Sequence, residues 1–511
     1  MAPYLKNSQA IQLAQRWISL SLGGVLLSGC AGFTAQPLTQ EEIQTQAQQD
    51  RIALTQEVEP LPASLALPEA IARAIKYNAS QRLYAMEQAV AQGTYQAGKF
   101  DMLPKLVASA GYRDRNKELI TNSVDSVTGR PSLANPYIST DKESAQYSLG
   151  FSWSLLDFGQ SYYAARQNAD RVLIAQERRR KAIHNLVQDV SIAYWRVAAH
   201  QALQASLRKA TQSADAALDD VRKIEAEQLR TPLEPLRYQR QLLENMRLLE
   251  TMEQELSSAR IELASLMGMP PAQASQPWQV VEPALAAHQH WLQQPVEEME
   301  TLALLRNADL RESQYGARIA REETKRVMLR MFPGLSFNYA LNRSTDRYLI
   351  NDSWREAGAQ ISFNLLGLLA LPAQKQLAEA GVALADQKRM ATQMAVLSQL
   401  HIARLQFANA VHQYQRADSI AQVDQRLSQH MDNLVAAERQ TKLDSVAQQT
   451  SAILSTLRRY QALSNMQSAG ARLQATLGLE AVMEGADSQA LPDLTATVGQ
   501  ALQRWEAGQL Q

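Results

Sequence analysis

The segment Gly93–Lys99 (GTYQAGK) has the spacing of a phosphate-binding loop, in which backbone amides and a lysine cradle phosphate groups. That pattern requires Ser or Thr at the next position to bind Mg²⁺, and Phe100 stands there instead. The segment also ends a predicted helix, whereas a phosphate-binding loop follows a strand. We therefore predict no nucleotide site.

The seven histidines show no spacing that would bind a metal, since His-Glu-x-x-His and clusters of His with carboxylates are both missing from the sequence. His288 and His290 fall in a polar linker, and His401 and His412 fall on one predicted helix face, so all four are expected in solvent. The serine motif Gly-x-Ser-x-Gly is also missing. We therefore predict that the chain is not an enzyme and that it has no metal site and no cofactor.

Cys30 is the only cysteine, so it cannot form an internal disulfide. It ends the tetrapeptide Leu27–Cys30, which follows a short apolar run, Trp17–Leu27. At about 11 residues the run is too short to span a bilayer as a helix, which needs roughly 20, and it is typical of a secretory signal peptide. The tetrapeptide resembles a bacterial lipobox, which predicts a lipid (palmitate) on Cys30. The alternative is an ordinary cysteine at a cleavage site.

The composition favours long helices, because Gly (21) and Pro (18) are both scarce for 511 residues. Lys plus Arg and Asp plus Glu number 51 each, so the net charge is zero. A neutral chain lacks the basic field that nucleic-acid binding requires, and we expect no nucleic-acid partner.

The chain contains an internal repeat, in which four groups of residues recur in the same order. The offset is 229 positions for the first group and 210 for the other three. A fixed offset over more than 100 residues is not expected from similar helical composition alone. The matching groups are Met102–Pro104 with Met331–Pro333, Ser152–Leu156 with Ser362–Leu366, Thr231–Glu234 with Thr441–Asp444, and Gly268 with Gly478.

Each half is predicted to contain a helix, two strands and a long helical hairpin. The second strand alternates strictly between Tyr147, Leu149, Phe151, Trp153 and Leu155 and small polar residues. Such alternation is required of a lipid-facing strand, although a soluble sandwich would show it too. The predicted organisation is a signal peptide over 1–29, a polar linker over 30–64, a first repeat over 65–275 (strands 105–112 and 146–155, hairpin 156–267), a linker over 276–295, a second repeat over 296–481 (strands 335–341 and 357–365, hairpin 373–477) and a C-terminal periplasmic tail over 482–511.

The long predicted helices carry a heptad pattern, with Ile183, Val190 and Val197 seven residues apart and Leu186 and Ala193 between them. No proline occurs from Leu156 to Gln228, so a rod of roughly 100 Å is possible at 1.5 Å per residue. Four strands cannot close a ring in lipid, whereas three copies would supply twelve.

The lipobox, the duplicated halves, the two strands before each hairpin and the segment Leu155–Gly159 (LLDFG) resemble the TolC-like outer-membrane factors over about residues 65–481. The resemblance implies a mainly α fold with a small membrane β-barrel portion, in which a homotrimer builds a 12-stranded β-barrel on a 12-helix α-barrel. It also implies an outer-membrane exit duct of an efflux or type I secretion system. The partners would be outer-membrane lipid, a periplasmic adaptor and an inner-membrane pump.

The resemblance also points to residues at the two hairpin tips. Asp444 takes the place of a constriction aspartate and, with its repeat partner Glu234, is the candidate periplasmic gate. The alternative for Asp444 is a charge that only favours a helix N-terminus. The residues expected to contact the adaptor are Thr231, Pro232, Thr441 and Lys442.

Two other classes of protein compete with the duct. A structural or adhesive coiled-coil lipoprotein without a pore would share the rods but would not conduct ions. A soluble periplasmic adaptor would share the hairpins but would need Gly-rich β domains, for which the sequence shows no pattern. The transported substrate, whether drug, metal ion or secreted protein, leaves no mark in the sequence.

Overall fold

The computed structural model describes residues 36–55, 58–133, 136–226, 233–270, 278–281, 290–437, 439–479, 485 and 489–508. The chain divides into two units, residues 1–57 and 58–511. Cys30, Thr231 and Pro232 lie outside the described residues, as does the side chain of Glu234.

The first unit contains one described helix, α1 (Gln40–Thr55), within the segment expected to be a polar linker. Thr39 begins it with a reciprocal cap, because its Oγ1 accepts from the Glu42 amide at 3.2 Å and Glu42 Oε2 accepts from the Thr39 amide at 2.8 Å. The side chains of α1 from Gln40 to Leu54 are all exposed.

The second unit follows the duplicated order of the sequence. Its described elements are β1 (Ser64–Leu65), α2 (Leu67–Tyr77), α3 (Ala79–Phe100), β2 (Lys105–Asp114), β3 (Ile120–Thr121), β4 (Tyr137–Ile138), β5 (Glu143–Ser154), α4 (Leu155–Ala226), α5 (Leu233–Ser257), α6 (Ala259–Leu266), β6 (Gln279–Val280), α7 (His290–Gln293), α8 (Val296–Arg306), α9 (Ala308–Leu329), β7 (Gly334–Ser344), β8 (Ser353–Ser362), α10 (Gly367–Ala436), α11 (Lys442–Leu477) and α12 (Leu491–Glu506).

Within each half, one asparagine joins the beginning of the half to its end, and the two asparagines occupy matching positions of the repeat. Asn78 caps α3 and donates from Nδ2 to the Leu266 carbonyl at 3.0 Å, and Asn307 caps α9 and donates to the Thr476 carbonyl at 3.0 Å. The repeat therefore extends from sequence to hydrogen bonds.

Four of the strands form one antiparallel sheet in the order β2-β5-β7-β8. Leu149 of β5 lies opposite Ala108 of β2 and Leu341 of β7, and residues directly opposite share a face. One face is apolar over most of its length, and the other carries small polar side chains. The apolar face includes Leu106, Ala108, Tyr147, Leu149, Phe151, Trp153, Phe337, Tyr339, Leu341, Ala357, Ala359 and Ile361, and the polar face includes Ser109, Gln146, Ser148, Ser152, Asn338, Asn342 and Gln360.

Two continuous helices, α4 with 72 residues and α10 with 70, are each about 100 Å long at 1.5 Å per residue. The heptad residues Ile183, Val190 and Val197 are buried, as the pattern predicts. Pro372, which we took to precede the second rod, lies inside α10. The rod expected to run from Leu236 to Met267 is instead two helices, α5 and α6.

The largest apolar core lies where the short elements pack on the long helices. Trp291 of α7 stacks on Trp505 of α12 with ring centroids 4.1 Å apart, and its Nε1 donates to the Trp505 carbonyl at 2.7 Å. The segment predicted only as a tail thus contributes a helix, α12, to this core.

Candidate functional site: the hairpin end and the open sheet edges

The tip of the second hairpin is organised by the first turn of α11. Thr441 is the N-cap residue, and its Oγ1 accepts from the Asp444 amide at 3.3 Å. Asp444 Oδ2 accepts from the Thr441 hydroxyl at 2.6 Å and from the Thr441 amide at 3.3 Å. Asp444 is half-buried, so its carboxylate both closes a capping box and remains accessible to solvent.

Lys442 connects this tip to the first hairpin. Its Nζ lies 2.8 Å from Asp220 Oδ2 on α4. The hydrogen bond and charge of Lys442 lower the pKa of the Asp220 carboxyl, and Asp220 in turn raises the pKa of Lys442. Both groups are exposed, so the pair orients the tip more than it stabilises it.

A second polar group lies next to the tip, around Asp432 of α10. Its Oδ1 accepts from Ser445 Oγ at 2.7 Å and from Gln449 Nε2 at 2.8 Å, and Lys209 Nζ of α4 lies 3.5 Å from Oδ2. Burial raises the pKa of the Asp432 carboxyl, but these hydrogen bonds and the charge of Lys209 outweigh it, so its pKa lies below its usual value.

The structure thus brings together three of the residues predicted from the sequence, Thr441, Lys442 and Asp444. Sequence analysis did not identify Asp220 or Asp432 as their surroundings. Asp220 is 222 positions from its partner Lys442, and no local pattern could signal that contact.

The four-stranded sheet has two outer strands, β2 and β8, each hydrogen-bonded to one neighbour among the described strands. An outer strand presents a row of backbone donors and acceptors that can pair with another chain. The apolar side chains of the sheet are exposed, for example Leu106 at 68% and Ile361 at 73%. Among the described residues, a single copy therefore covers neither the two strand edges nor the apolar face of the sheet.

None of the described helices is both long and apolar enough to cross a membrane.

Comparison with protein families finds one match, over residues 70–269, to the family described as outer membrane efflux protein. That match lies within the first of the two repeats and spans most of it. No curated protein matches the chain.

Solved structures match at low identity over most of the chain. A membrane protein from Pseudomonas aeruginosa has a TM-score of 0.63 at 17% identity, covering 83% of this chain and 92% of its own. The outer membrane protein VceC of Vibrio cholerae has a TM-score of 0.61 at 17% identity, covering 81% and 96%. The CmeC outer membrane channel of Campylobacter jejuni has a TM-score of 0.64 at 11% identity, covering 87% and 89%. The chain shares the fold of these three proteins.

Proposed function

We propose that this chain, whose residues 70–269 match the outer membrane efflux protein family, is the outer-membrane exit duct of an efflux or type I secretion system. The observation that carries the proposal is one sheet with an apolar face and two open edges at the head of helices about 100 Å long. Such a molecule can offer a lipid-facing sheet and a tunnel wall at the same time.

We propose that three copies form the duct. Open strand edges are not tolerated in lipid, so the edges β2 and β8 must pair with other copies. A closed ring of three sheets has twelve strands, and its three pairs of hairpins have twelve helices. The alternating faces support this arrangement, because the apolar face would meet lipid and the polar face would line the lumen.

The repeat predicts how the edges pair. Within one copy, Phe151 of β5 lies opposite Tyr339 of β7. Their repeat counterparts are Ile361 on β8, at an offset of 210, and Ala110 on β2, at an offset of 229. If the ring repeats the internal pairing, Ile361 of one copy lies opposite Ala110 of the next.

Paired cysteines test this register. In directly opposite strand residues the Cβ atoms are about 4.5–5.5 Å apart, within reach of a disulfide after small movements. Oxidation of the Ala110→Cys, Ile361→Cys variant should give covalent dimers and trimers. The pair Ala110→Cys, Ala357→Cys lies on the same face but four residues out of register, roughly 13 Å away, and should not cross-link. Equal cross-linking of both pairs, or none of either, contradicts the proposed ring.

Conductance separates the duct from the rival structural or adhesive lipoprotein. The purified trimer should form water-filled channels in planar bilayers, whereas a stalk without a pore would give no conductance. We further propose that the hairpin tips around Thr231, Pro232, Thr441 and Lys442 contact a periplasmic adaptor, which connects the duct to an inner-membrane pump.

We propose a lipid anchor on Cys30, supported by the apolar run and the tetrapeptide that precede it. Each CH₂ of an acyl chain buried in the membrane contributes about 0.8 kcal/mol. The Cys30→Ser variant should not incorporate radiolabelled fatty acid and should accumulate as a precursor. Continued labelling would show that the lipid is attached elsewhere.

We propose that three Asp444 carboxylates form the gate, with Glu234 as a weaker second candidate. A ring of carboxylates selects cations and, when crowded, binds them. Because Asp444 also caps α11, Asp444→Asn is the sharper variant, since an amide oxygen can still accept the Thr441 amide while the charge is lost. Block by divalent cations should weaken in Asp444→Asn and in Asp444→Ala. If only Asp444→Ala changes the channel, Asp444 acts as a cap and not as a gate.

A further inference from the structure

The long helices form one seam inside the chain, where α4 packs on α11. We call it the internal seam. Val446 and Ile453 of α11 and Trp195 and Ala217 of α4 are all at most 5% exposed there. Its two ends are marked by Gln188 Nε2, which donates to Ser468 Oγ at 2.8 Å, and by the pair of Asp220 with Lys442.

The repeat gives each helix of the internal seam a counterpart at an offset of 210, α10 for α4 and α5 for α11. Apolar side chains on these counterparts occupy the matching positions but are 48–62% exposed. They are Leu405, Ile420 and Leu427 on α10, matching Trp195, Ala210 and Ala217, and Leu236 and Leu243 on α5, matching Val446 and Ile453.

At two positions, a buried uncharged residue on α4 or α11 has a charged repeat counterpart on α10 or α5. Ala214 of α4 and Val446 of α11 lie in one buried apolar cluster, which also includes Leu242 of α5, and Thr450, one turn after Val446, donates its hydroxyl to the Val446 carbonyl at 2.7 Å. The counterpart of Ala214, which is 0% exposed, is Asp424, and the counterpart of Thr450, which is 4% exposed, is Arg240. The two replacements have opposite charge, and neither side chain has a hydrogen bond or ion pair with another described residue.

We propose that α10 of one copy packs on α5 of the next copy in the register of the internal seam, and that Asp424 pairs with Arg240 across this contact. The proposal rests on the ring assembly proposed above. We call this contact the external seam. An apolar surface that is buried at one repeat position and exposed at the other fits a second copy, because the partner surface already exists on the same chain.

The charged pair also specifies which hairpin joins which. If the two seams exchanged partners, Asp424 would face the Thr450 position and Arg240 would face Ala214. Each charge would then be desolvated without a partner, which is strongly unfavourable. Complementary charges in one seam and small neutral residues in the other therefore keep similar hairpins from mispairing.

Charge reversal tests the external seam in the full-length assembled protein. Asp424→Arg and Arg240→Asp should each shorten the half-life of the trimer on heating in detergent by about tenfold or more, and the double variant should recover to within about threefold of the parent. Arg416→Asp is the matched control, because it also reverses a charge on α10. The repeat counterpart of Arg416 is Ser206, which is exposed on α4, so this change should have little effect on the trimer. A double variant as weak as the sum of its parts overturns the proposal.

A second measurement does not depend on stability. Ala217 of α4 and Val446 of α11 belong to one buried apolar cluster, so we expect their counterparts Leu427 and Leu236 to meet across the external seam. The Leu427→Cys, Leu236→Cys variant should therefore form covalent trimers on oxidation. If these cysteines fail to cross-link while Ala110→Cys with Ile361→Cys succeeds, the ring exists and the external seam is wrong. If both pairs fail, the proposed function itself fails.

Discussion

At the residue scale, two glycines show how closely the end of each half packs against the short helix at its beginning. Gly268 and Gly478 have φ values of 72° and 69°, in the left-handed region that other residues rarely adopt. A Cβ on Gly268 would lie 2.3 Å from the Tyr77 carbonyl oxygen, and one on Gly478 would lie 2.4 Å from that of Arg306. At both positions, conformation and space require glycine for the same reason.

Gly478→Ala should therefore destabilise the protein. The left-handed conformation costs about 1–2 kcal/mol for alanine, and the contact with the Arg306 carbonyl adds to this. Gly316→Ala is the control, because Gly316 lies in helix α9 and an added Cβ would meet no atom within 4 Å apart from its chain neighbours and the backbone of its own helix, so alanine should stabilise by up to about 1 kcal/mol. Thermal unfolding of the two variants should thus shift in opposite directions, and a stable Gly478→Ala protein would contradict the geometry.

His184 predicts a dependence of stability on pH. Burial, and then the charge of Arg180, lower the pKa of His184 to about 4, and its Nε2 has no hydrogen-bond partner among the described residues. In the unfolded chain the pKa of this histidine is about 6.5, so between pH 6.5 and pH 4 the unfolded chain binds more protons than the folded chain. The free energy of unfolding therefore falls as the pH falls through this window. The loss is at most about 3 kcal/mol.

Replacement by the repeat counterpart of His184, which is Met394, removes the titrating group. The melting temperature of His184→Met should fall less between pH 7 and pH 4 than that of the parent protein. His401→Gln is a suitable control, since His401 is exposed and pairs with Glu300 at the surface. Equal losses in the parent and His184→Met would show that this histidine is not the titrating group.

At the scale of elements, an antiparallel ladder of ion pairs joins α4 to α9. The acidic partners Asp170, Glu177 and Glu322 are buried, and the basic partners facing them are more exposed. Two residues of the basic run 178–181 belong to this ladder, since Arg178 pairs with Glu312 at 2.8 Å and Lys181 with Asp309 at 2.8 Å. The ladder includes Lys181 with Asp309, Arg178 with Glu312, Arg311 with Glu177, Arg318 with Asp170, and Arg166 with Glu322.

The Arg318 and Asp170 pair gives a prediction about this ladder. Arg318 Nε lies 2.9 Å from both carboxylate oxygens of Asp170. Arg318→Met leaves the Asp170 charge buried without compensation and should cost about 1–3 kcal/mol, less than a deeply buried pair because Arg318 is half exposed. Adding Asp170→Asn should restore part of the loss in thermal unfolding. A double variant less stable than Arg318→Met would show that uncompensated charge is not the cause.

At the scale of the whole molecule, the loops beyond the sheet set its orientation. Residues 115–142 link β2 to β5, and Asp141 ties this loop to the β7–β8 loop through Arg347 at 3.1 Å. In the proposed outer-membrane barrel, the longer loops are expected to face the cell exterior. The positive φ of Gly129 and the turn at Asp125, which accepts from the Thr128 amide at 2.8 Å, mark an exposed tip.

An epitope inserted after Gly129 should therefore be reached by antibody on intact cells. The control is an insertion after Gly508, just beyond α12; this segment is proposed to lie on the periplasmic side, so the epitope should be reached only after permeabilisation. The reverse pattern would invert the proposed topology.

The sequence by itself determined the features that depend on local periodicity. Alternation at period two predicted β5, β7 and β8 and their apolar face, and the heptads predicted the buried side of α4, because neighbouring residues alone set these patterns. The fixed offsets predicted that the halves would be built alike. Strand and helix ends were less well predicted, as Pro372 inside α10 and the break between α5 and α6 show.

Only the tertiary structure decided which distant segments meet. Lys442 with Asp220, Trp291 with Trp505 and the ladder between α4 and α9 join residues more than 100 positions apart. Each charged group could have faced solvent at almost no cost, so its own neighbours in sequence do not specify a partner. The partner is fixed by the packing of apolar seams over tens of residues, which is a property of the whole fold.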